Sequence, residues 1–476
     1  MTLNSVVFIF AFMPIVLLFF YGARFFLRGT AQANTCKVLL LIASIVFFSW
    51  VAQQYLPLLF ALIALNYLAA LLIHRMQWKR TVLAAAIVID VAALAFYKYF
   101  NFFGEQLDLL CNFGFVSLDI VQPLGISFFV FSLISYVVDV YRRTIEADKN
   151  LLNVALWASF FPKMTSGPIV RYADMFSENA DLSASPSSHT PLENLSYGTR
   201  KFVIGLGKKV IIADSLGVIV DQIFTAQTTG IDTPTAWLGI ICYTFQIFFD
   251  FAGYSDMAIG IAAMFGFRFK ENFNYPYIAK TIGEFWHRWH ISLSTWLRDY
   301  LYFPLGGSRR GNVYVNLLVV FLVSGLWHGA DWHFVVWGLW YAVFMILDRI
   351  YRAHAHRLNI PDGFLWAGTM LVVVLGWVFF RAENMPQALS YIGTLFGMGD
   401  SSSQFFGFFY YCTPRTIFLL GVASLCSLPL FAEARKKYDG TIAWEAIRCI
   451  GIPILFIVAV LFMMNSTYSP FLYAQF

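Results

Sequence analysis

Apolar residues in this chain gather into long runs, not into the alternating or amphipathic patterns of a soluble fold. The first five runs cover residues 6–20, 38–50, 56–73, 82–96 and 123–140. With its flanks, each approaches the ~20 residues a helix needs to cross a bilayer. The gaps between them alternate in charge. Arg24, Arg28 and Lys37 fall in the first gap, and none falls in the second, residues 51–55. Arg75, Lys79 and Arg80 follow the third run. The fourth gap holds Glu105, Asp108 and Asp119, with Lys98 at its edge, and Arg142 and Arg143 follow the fifth run. Basic residues concentrate in cytoplasmic loops, so this alternation predicts five crossings with the N-terminus outside. No Lys or Arg precedes the first run, so a cleaved signal peptide is not predicted.

Beyond residue 145 the pattern is less regular. Residues 151–169 are apolar but interrupted by Pro162, Gly167 and Pro168, which predicts a re-entrant or broken helix buried in protein. Residues 174–193 are polar, include His189, and read as a loop. A helix with a basic start at Arg200, Lys201, Lys208 and Lys209 then leads to a turn near 228–234. Its return helix carries Asp250 and Asp256 inside an apolar stretch. Residues 268–310 hold much of the charge and read as a folded insert on the cytoplasmic side. Further runs lie at 313–326, 332–347, 365–379, 417–431 and 447–464, with basic clusters at 349–357 and 435–437. The expectation is an all-α polytopic membrane protein with roughly 11–12 crossings plus re-entrant helices. It forms one transmembrane domain over 1–476: N-terminal helices to 145, a core at 150–350 and C-terminal helices at 360–476. No strict repeat supports a two-half transporter symmetry.

Composition agrees. The chain is 59% hydrophobic and only 12% charged, about half the charge of a typical soluble domain. Its net charge of +5 is spread along the chain, with no basic aromatic patch of the kind that binds nucleic acid. The six cysteines form no CxxC pair, so no metal or redox signature exists, although a Cys111–Cys412 bridge stays open.

Chemistry concentrates around four of the eight histidines. His74, His354 and His356 lie in basic loops and His189 in the Ser/Pro-rich loop, where solvation is the simplest reading. The others fall in two segments. The first runs Glu284-Phe-Trp286-His287-Arg288-Trp289-His290-Ile-Ser292-Leu-Ser-Thr-Trp296-Leu-Arg298. At helical pitch Trp286, Trp289 and Leu293 share a face that Trp296 continues, with His287 and His290 as i, i+3 neighbours. The second, Ser324-Gly-Leu-Trp327-His328-Gly-Ala-Asp331-Trp-His333, closes an apolar run, and its glycines allow close backbone approach around His328. Ionisable groups inside a membrane are costly, so they point to function by default. His-x-x-His without a third ligand argues against a metal site. Two further matches are weak. Gly399-Asp400-Ser401 resembles an esterase block without its supporting strand, and Gly306–Arg310 reads as a basic turn.

At these residues the chain resembles the membrane-bound O-acyltransferases (MBOAT), most closely their bacterial alginate O-acetylation subfamily. Four blocks carry the likeness: Phe161 through Arg171 and Tyr172; Phe249-Asp250 through Tyr254, Asp256 and Gly260; Glu284 through Gly307; and Ser324 through Asp331. The resemblance implies a ring of helices around a central tunnel, with His328 as the catalytic histidine and His290 as its second catalytic position. Trp286, His287, Arg288, Trp289, Ser292, Trp296, Arg298, Trp327, Asp250, Tyr254, Asp256 and Arg171 become tunnel or substrate candidates. It implies no tightly bound cofactor. The donor would be acetyl-CoA or another cytoplasmic thioester, such as an acyl carrier protein. The partner would be a periplasmic SGNH-type acetyltransferase or polysaccharide-modification complex; the short aromatic tail at 465–476 reads equally as a dock for it or as a membrane-interface anchor through Tyr468, Phe471 and Tyr473. Two positions depart from the family pattern: His287, where relatives often have Arg, and Lys163-Met-Thr-Ser, where they are more apolar. The residues alone leave a transporter or flippase open, with Asp250, Asp256, Arg288 and Arg298 as relay groups, and also a silent scaffold. Transfer of a D-alanyl group to a cell-wall polymer is a related reading.

Overall fold

The computed structural model describes residues 1–75, 77–176, 190–226, 230–354, 360–399 and 406–465. Its described residues fold into helices, turns and connecting segments, with no strand among them. Among the described residues, seven helical runs are long and apolar enough to cross a membrane: Phe8–Phe26, Gly29–Arg75, Lys79–Cys111, Thr233–Met264, Trp332–His354, Asp362–Arg381 and Ile442–Asn465. An eighth forms if Pro414–Cys426 and Leu430–Tyr438, bent by 52° at their junction, count as one span. The expected total of 11–12 also counts shorter elements. Ile126–Arg142 and Val313–His328 are apolar helices of 17 and 16 residues, and Gly29–Arg75 contains two helices, Gly29–Ala52 and Leu56–Arg75. The expected spans at 6–20, 38–50, 56–73, 82–96 and 123–140 each fall on a helix.

Outward faces are apolar, as lipid contact requires. In Ile442–Asn465 only Ala459 is buried, while Ile450, Ile454, Ile457 and Leu461 are exposed. Helix starts follow capping chemistry. Asn150, Thr281, Asn312, Asn384 and Thr413 each accept a backbone N–H from the first turn of their own helix. The broken helix expected at 151–169 appears as Leu151–Ser159, a break at Phe160 and a single turn at Phe161–Met164.

Two compact units divide the chain. One comprises Met1–Phe202 and Tyr254–Lys270, the other Val203–Gly253 and Glu271–Phe476. In the first, a buried amide–carboxyl contact joins two spans, Asn66 Nδ2 donating to Asp90 Oδ1 at 2.9 Å. Gly198 and Gly260 let two helices touch, because a Cβ on either would fall 2.4 or 2.6 Å from the other's carbonyl oxygen. In the second, aromatic residues dominate the core around Trp289, Trp337, Tyr341 and Trp377, all almost fully buried. All six cysteines are free thiols, so the Cys111–Cys412 bridge does not form.

Candidate active site

The histidine segment is not one helix. Helix Ile282–Arg288 ends at Trp289, which is extended, and His290 adopts left-handed backbone angles, φ 42° and ψ 55°. A second helix, Ile291–Leu297, starts immediately after it. The shared tryptophan face expected from helical pitch is therefore cut at 289–290, and His287 is exposed while His290 is buried. The cause is local pairing. Asn274 N–H donates to the Arg288 carbonyl and Ile291 N–H to the Asn272 carbonyl, each at 2.9 Å, so loop 272–274 replaces the helical partners on both sides of the break. A non-glycine residue in this region is uncommon and costs energy that surrounding contacts must offset.

The break fixes the orientation of His290. Asn272 Oδ1 accepts the Ser292 backbone N–H at 3.0 Å, which identifies that atom as the amide oxygen. His290 Nδ1 lies 3.3 Å from it and 3.4 Å from the Ser292 hydroxyl. A neutral ring in this setting carries its proton on Nδ1 and its lone pair on Nε2. Phe251 packs edge-on against the imidazole at 4.5 Å between centroids. Burial pushes the His290 pKa down from its ordinary 6.5 to about 3, so the ring is neutral near pH 7.

His328 is the last residue of helix Val313–His328 and is 2% exposed. Rings surround it: Trp327 and Trp337 at 4.9 Å and Phe380 at 5.1 Å, all near perpendicular. Trp327 also reaches His290, at 6.1 Å, so one indole touches both imidazoles. The return helix Trp332–His354 packs tightly here. A Cβ on Gly338 would lie 2.4 Å from the Phe321 carbonyl oxygen, and one on Gly325 2.4 Å from that of Phe334. His333 Nδ1 meets the Phe379 carbonyl at 2.8 Å, tying the loop after His328 to the helix end that presents Phe380.

Ten sequence candidates belong to the same compact unit as His328: His290, Trp286, His287, Arg288, Trp289, Ser292, Trp296, Arg298, Trp327 and Asp250. Not all of them face the histidines. Trp286 stacks edge-on with Trp337 and Tyr341, and Trp289 lies among Phe273, Phe285 and Trp377. Trp296 packs on Tyr300. Arg288 pairs with Glu284 at 2.8 Å, and the exposed Arg298 with its neighbour Asp299 at 2.9 Å. Asp250 pairs with buried Lys209 at 2.5 Å, and Lys209 also holds Asp214 at 2.6 Å. Tyr254, Asp256 and Arg171 belong to the other unit. There Tyr254 bonds Thr165, Asp256 pairs with Lys201 at 2.9 Å, and the Arg171 carbonyl accepts the Asp174 N–H.

Sequence reasoning missed the residues that hold the histidines. Asn272 is one polar residue in a charged insert, with no spacing to mark it. Phe251, Trp337 and Phe380 read as ordinary apolar positions of spans. The closeness of Phe251 to Asp250 in a family-like block was the available signal. Among the described residues, no three His, Cys, Asp or Glu side chains gather as a metal site. His189, His356, Asp400, Ser401 and the tail beyond 465 lie outside the described residues.

Comparison with known proteins decides the family. Residues 141–385 match the profile of MBOAT, the membrane-bound O-acyltransferase family. The chain is 38% identical over 506 residues to a probable alginate O-acetylase AlgI of Pseudomonas putida, covering 100% of both chains. This chain belongs to the MBOAT family. A second protein of the same description, from Azotobacter vinelandii, is 38% identical over 520 residues, again covering 100% of both. A peptidoglycan O-acetyltransferase of Helicobacter pylori is 37% identical over 431 residues, 84% of this chain and 80% of that one. The chain is thus a multi-pass membrane O-acyltransferase. The matched span includes His290 and His328 and leaves the first four long apolar helices outside it.

Proposed function

We propose that this protein moves acetyl groups from a cytoplasmic thioester, across a bacterial inner membrane, to an exported polysaccharide such as alginate. The observation that carries the reading is the pair of buried imidazoles joined by one indole, in a chain of O-acyltransferase family. The names of the full-length relatives support acetyl as the group and a polysaccharide as its destination.

In the proposed step, an imidazole nitrogen of His328 takes the proton of the acceptor hydroxyl as its oxygen attacks the thioester carbon. The C–S bond breaks, an ester forms, and the proton passes to the leaving thiolate. A neutral imidazole suits a base, and the ring shell around His328 keeps water from competing for the acyl carbon. His290, fixed through Nδ1 by Asn272, offers Nε2 to orient the acceptor or steady the developing charge. The donor is acetyl-CoA or an acyl carrier protein. A periplasmic SGNH-type acetyltransferase relays the group onward, and the N-terminus lies on the periplasmic side.

The test is acetyl transfer by His328→Ala in membranes at matched expression. Loss of the base is expected to lower the rate by roughly 10²–10⁴. Activity near wild type would sink the assignment. A flippase is the competing reading, and transfer of labelled acetyl from acetyl-CoA by the purified chain distinguishes the two.

A further inference from the structure

Three basic helix ends meet at one corner of the N-terminal unit. Helix Leu56–Arg75 ends there, Lys79–Cys111 begins, and Ile126–Arg142 ends, and the three helices pack on one another. A cavity of about 480 Å³ opens between them, lined by Gln77, Trp78, Lys79, Arg80, Thr81 and Tyr141. Neither Lys79 nor Arg80 forms an ion pair among the described residues. The cavity thus offers two cations and hydroxyl donors with no internal counter-charge, which is the chemistry of a phosphate site. The site serves no evident step of acyl transfer, and apart from Tyr141, the first matched residue, its lining lies outside the span matched by the family profile.

Its surroundings select the source of the phosphate. The indole of Trp78 is 76% exposed at the rim, as rings at a membrane interface are. Leu68 and Leu72 are exposed on the last turns before Arg75, and Val88 and Ile89 are exposed on the helix that starts at Lys79. An apolar, lipid-facing flank therefore continues from the basic cavity into the membrane. A free phosphate needs only the cations, whereas a diacyl lipid needs both.

We propose that this corner binds the headgroup phosphate of an anionic phospholipid, with its acyl chains lying along the flank below. Lys79 and Arg80 hold the phosphate, and Trp78 fixes the depth of the headgroup. By the charge rule this face is cytoplasmic, where an anionic leaflet supplies the lipid.

The experiment is native mass spectrometry of the full-length chain released from nanodiscs containing phosphatidylglycerol and phosphatidylethanolamine. Wild type should retain phosphatidylglycerol in preference. Each basic residue near an anionic surface contributes roughly fivefold in affinity, so Lys79→Gln with Arg80→Gln should weaken retention roughly 25-fold. Lys436→Gln with Lys437→Gln, at another exposed basic turn, should leave it unchanged. Both changes are on the surface, and an unaltered melting temperature confirms that the variants are folded. Retention unchanged in the Lys79/Arg80 variant overturns the proposal, as does equal retention of the two lipids. Displacement of the lipid by millimolar inorganic phosphate or CoA, with either bound in its place, would instead mark a site for free phosphate and also overturns it.

Discussion

Two buried polar centres sit one residue apart on the helix Thr233–Met264, and they are built in opposite ways. Asp250 joins Lys209 and Asp214 in a cluster of ionisable groups, each side chain 6% exposed or less. The next residue, Phe251, packs against His290, whose polar contacts include the neutral Asn272 and Ser292. The first centre neutralises charge inside the protein and binds segments together. A Cβ on Gly253 would lie 2.7 Å from the Gly205 carbonyl oxygen, so the two backbones almost touch there. The second keeps an ionisable ring neutral and surrounds it with aromatic groups. The lesson concerns reading function from intramembrane charge. Asp250 drew attention because it is a charge in an apolar run, yet the structure gives it the surroundings of a scaffold group. The histidines, which need carry no charge, have the surroundings of a reactive one.

Variants should separate the two centres. The largest effect belongs to His328→Ala, which should lose roughly 10²–10⁴ of transfer activity while melting close to wild type. Lys209→Met should do the reverse. It leaves two buried carboxylates with no cation between them, a change that costs about 3–5 kcal/mol and lowers the melting temperature in detergent. If Lys209→Met melted like wild type but lost transfer, the cluster would belong to the chemistry and the contrast would fail. Gly338→Ala tests how the His328 hairpin is held. Its new Cβ meets a backbone carbonyl oxygen that cannot rotate away, so a loss of about 1–3 kcal/mol is expected. Transfer should fall with it, because the displaced helix is the one that ends in His328. A melting temperature within error of wild type would show that the two helices slide without cost.

Much of the scaffold was legible before the structure. The first five spans, the interruption near 160–168 and the close approach at Gly325 follow from hydropathy, proline and glycine, which act locally. The place of His328 at the end of an apolar helix was legible for the same reason, because the apolar run and the glycines beside it act locally. The break at His290 was not, because the tryptophan spacing fits a continuous helix and the cause lies in backbone bonds from loop 272–274. The ring shell escaped for a different reason. Phe and Trp in a membrane span look the same in sequence whether they face lipid, core or an imidazole. The role of Asp250 needed its partner Lys209, which lies on a separate helix and which pattern alone does not pair with it.

The smallest expected effect is the acid sensitivity of the neutral centre. The His290 pKa in the folded protein lies near 3, against about 6.5 when unfolded. Between those values the unfolded chain binds a proton that the folded chain refuses. Stability from this residue is therefore complete above about pH 6.5 and is lost as pH falls through the window, by about 1.4 kcal/mol per pH unit. His290→Asn removes the titration, and asparagine tolerates the left-handed backbone that the position requires. Melting measured in detergent at pH 7, 6 and 5 should fall more steeply for wild type than for His290→Asn. Equal slopes would mean that His290 can take up a proton without leaving its place, and the contrast between the neutral centre and the cluster around Lys209 would fail.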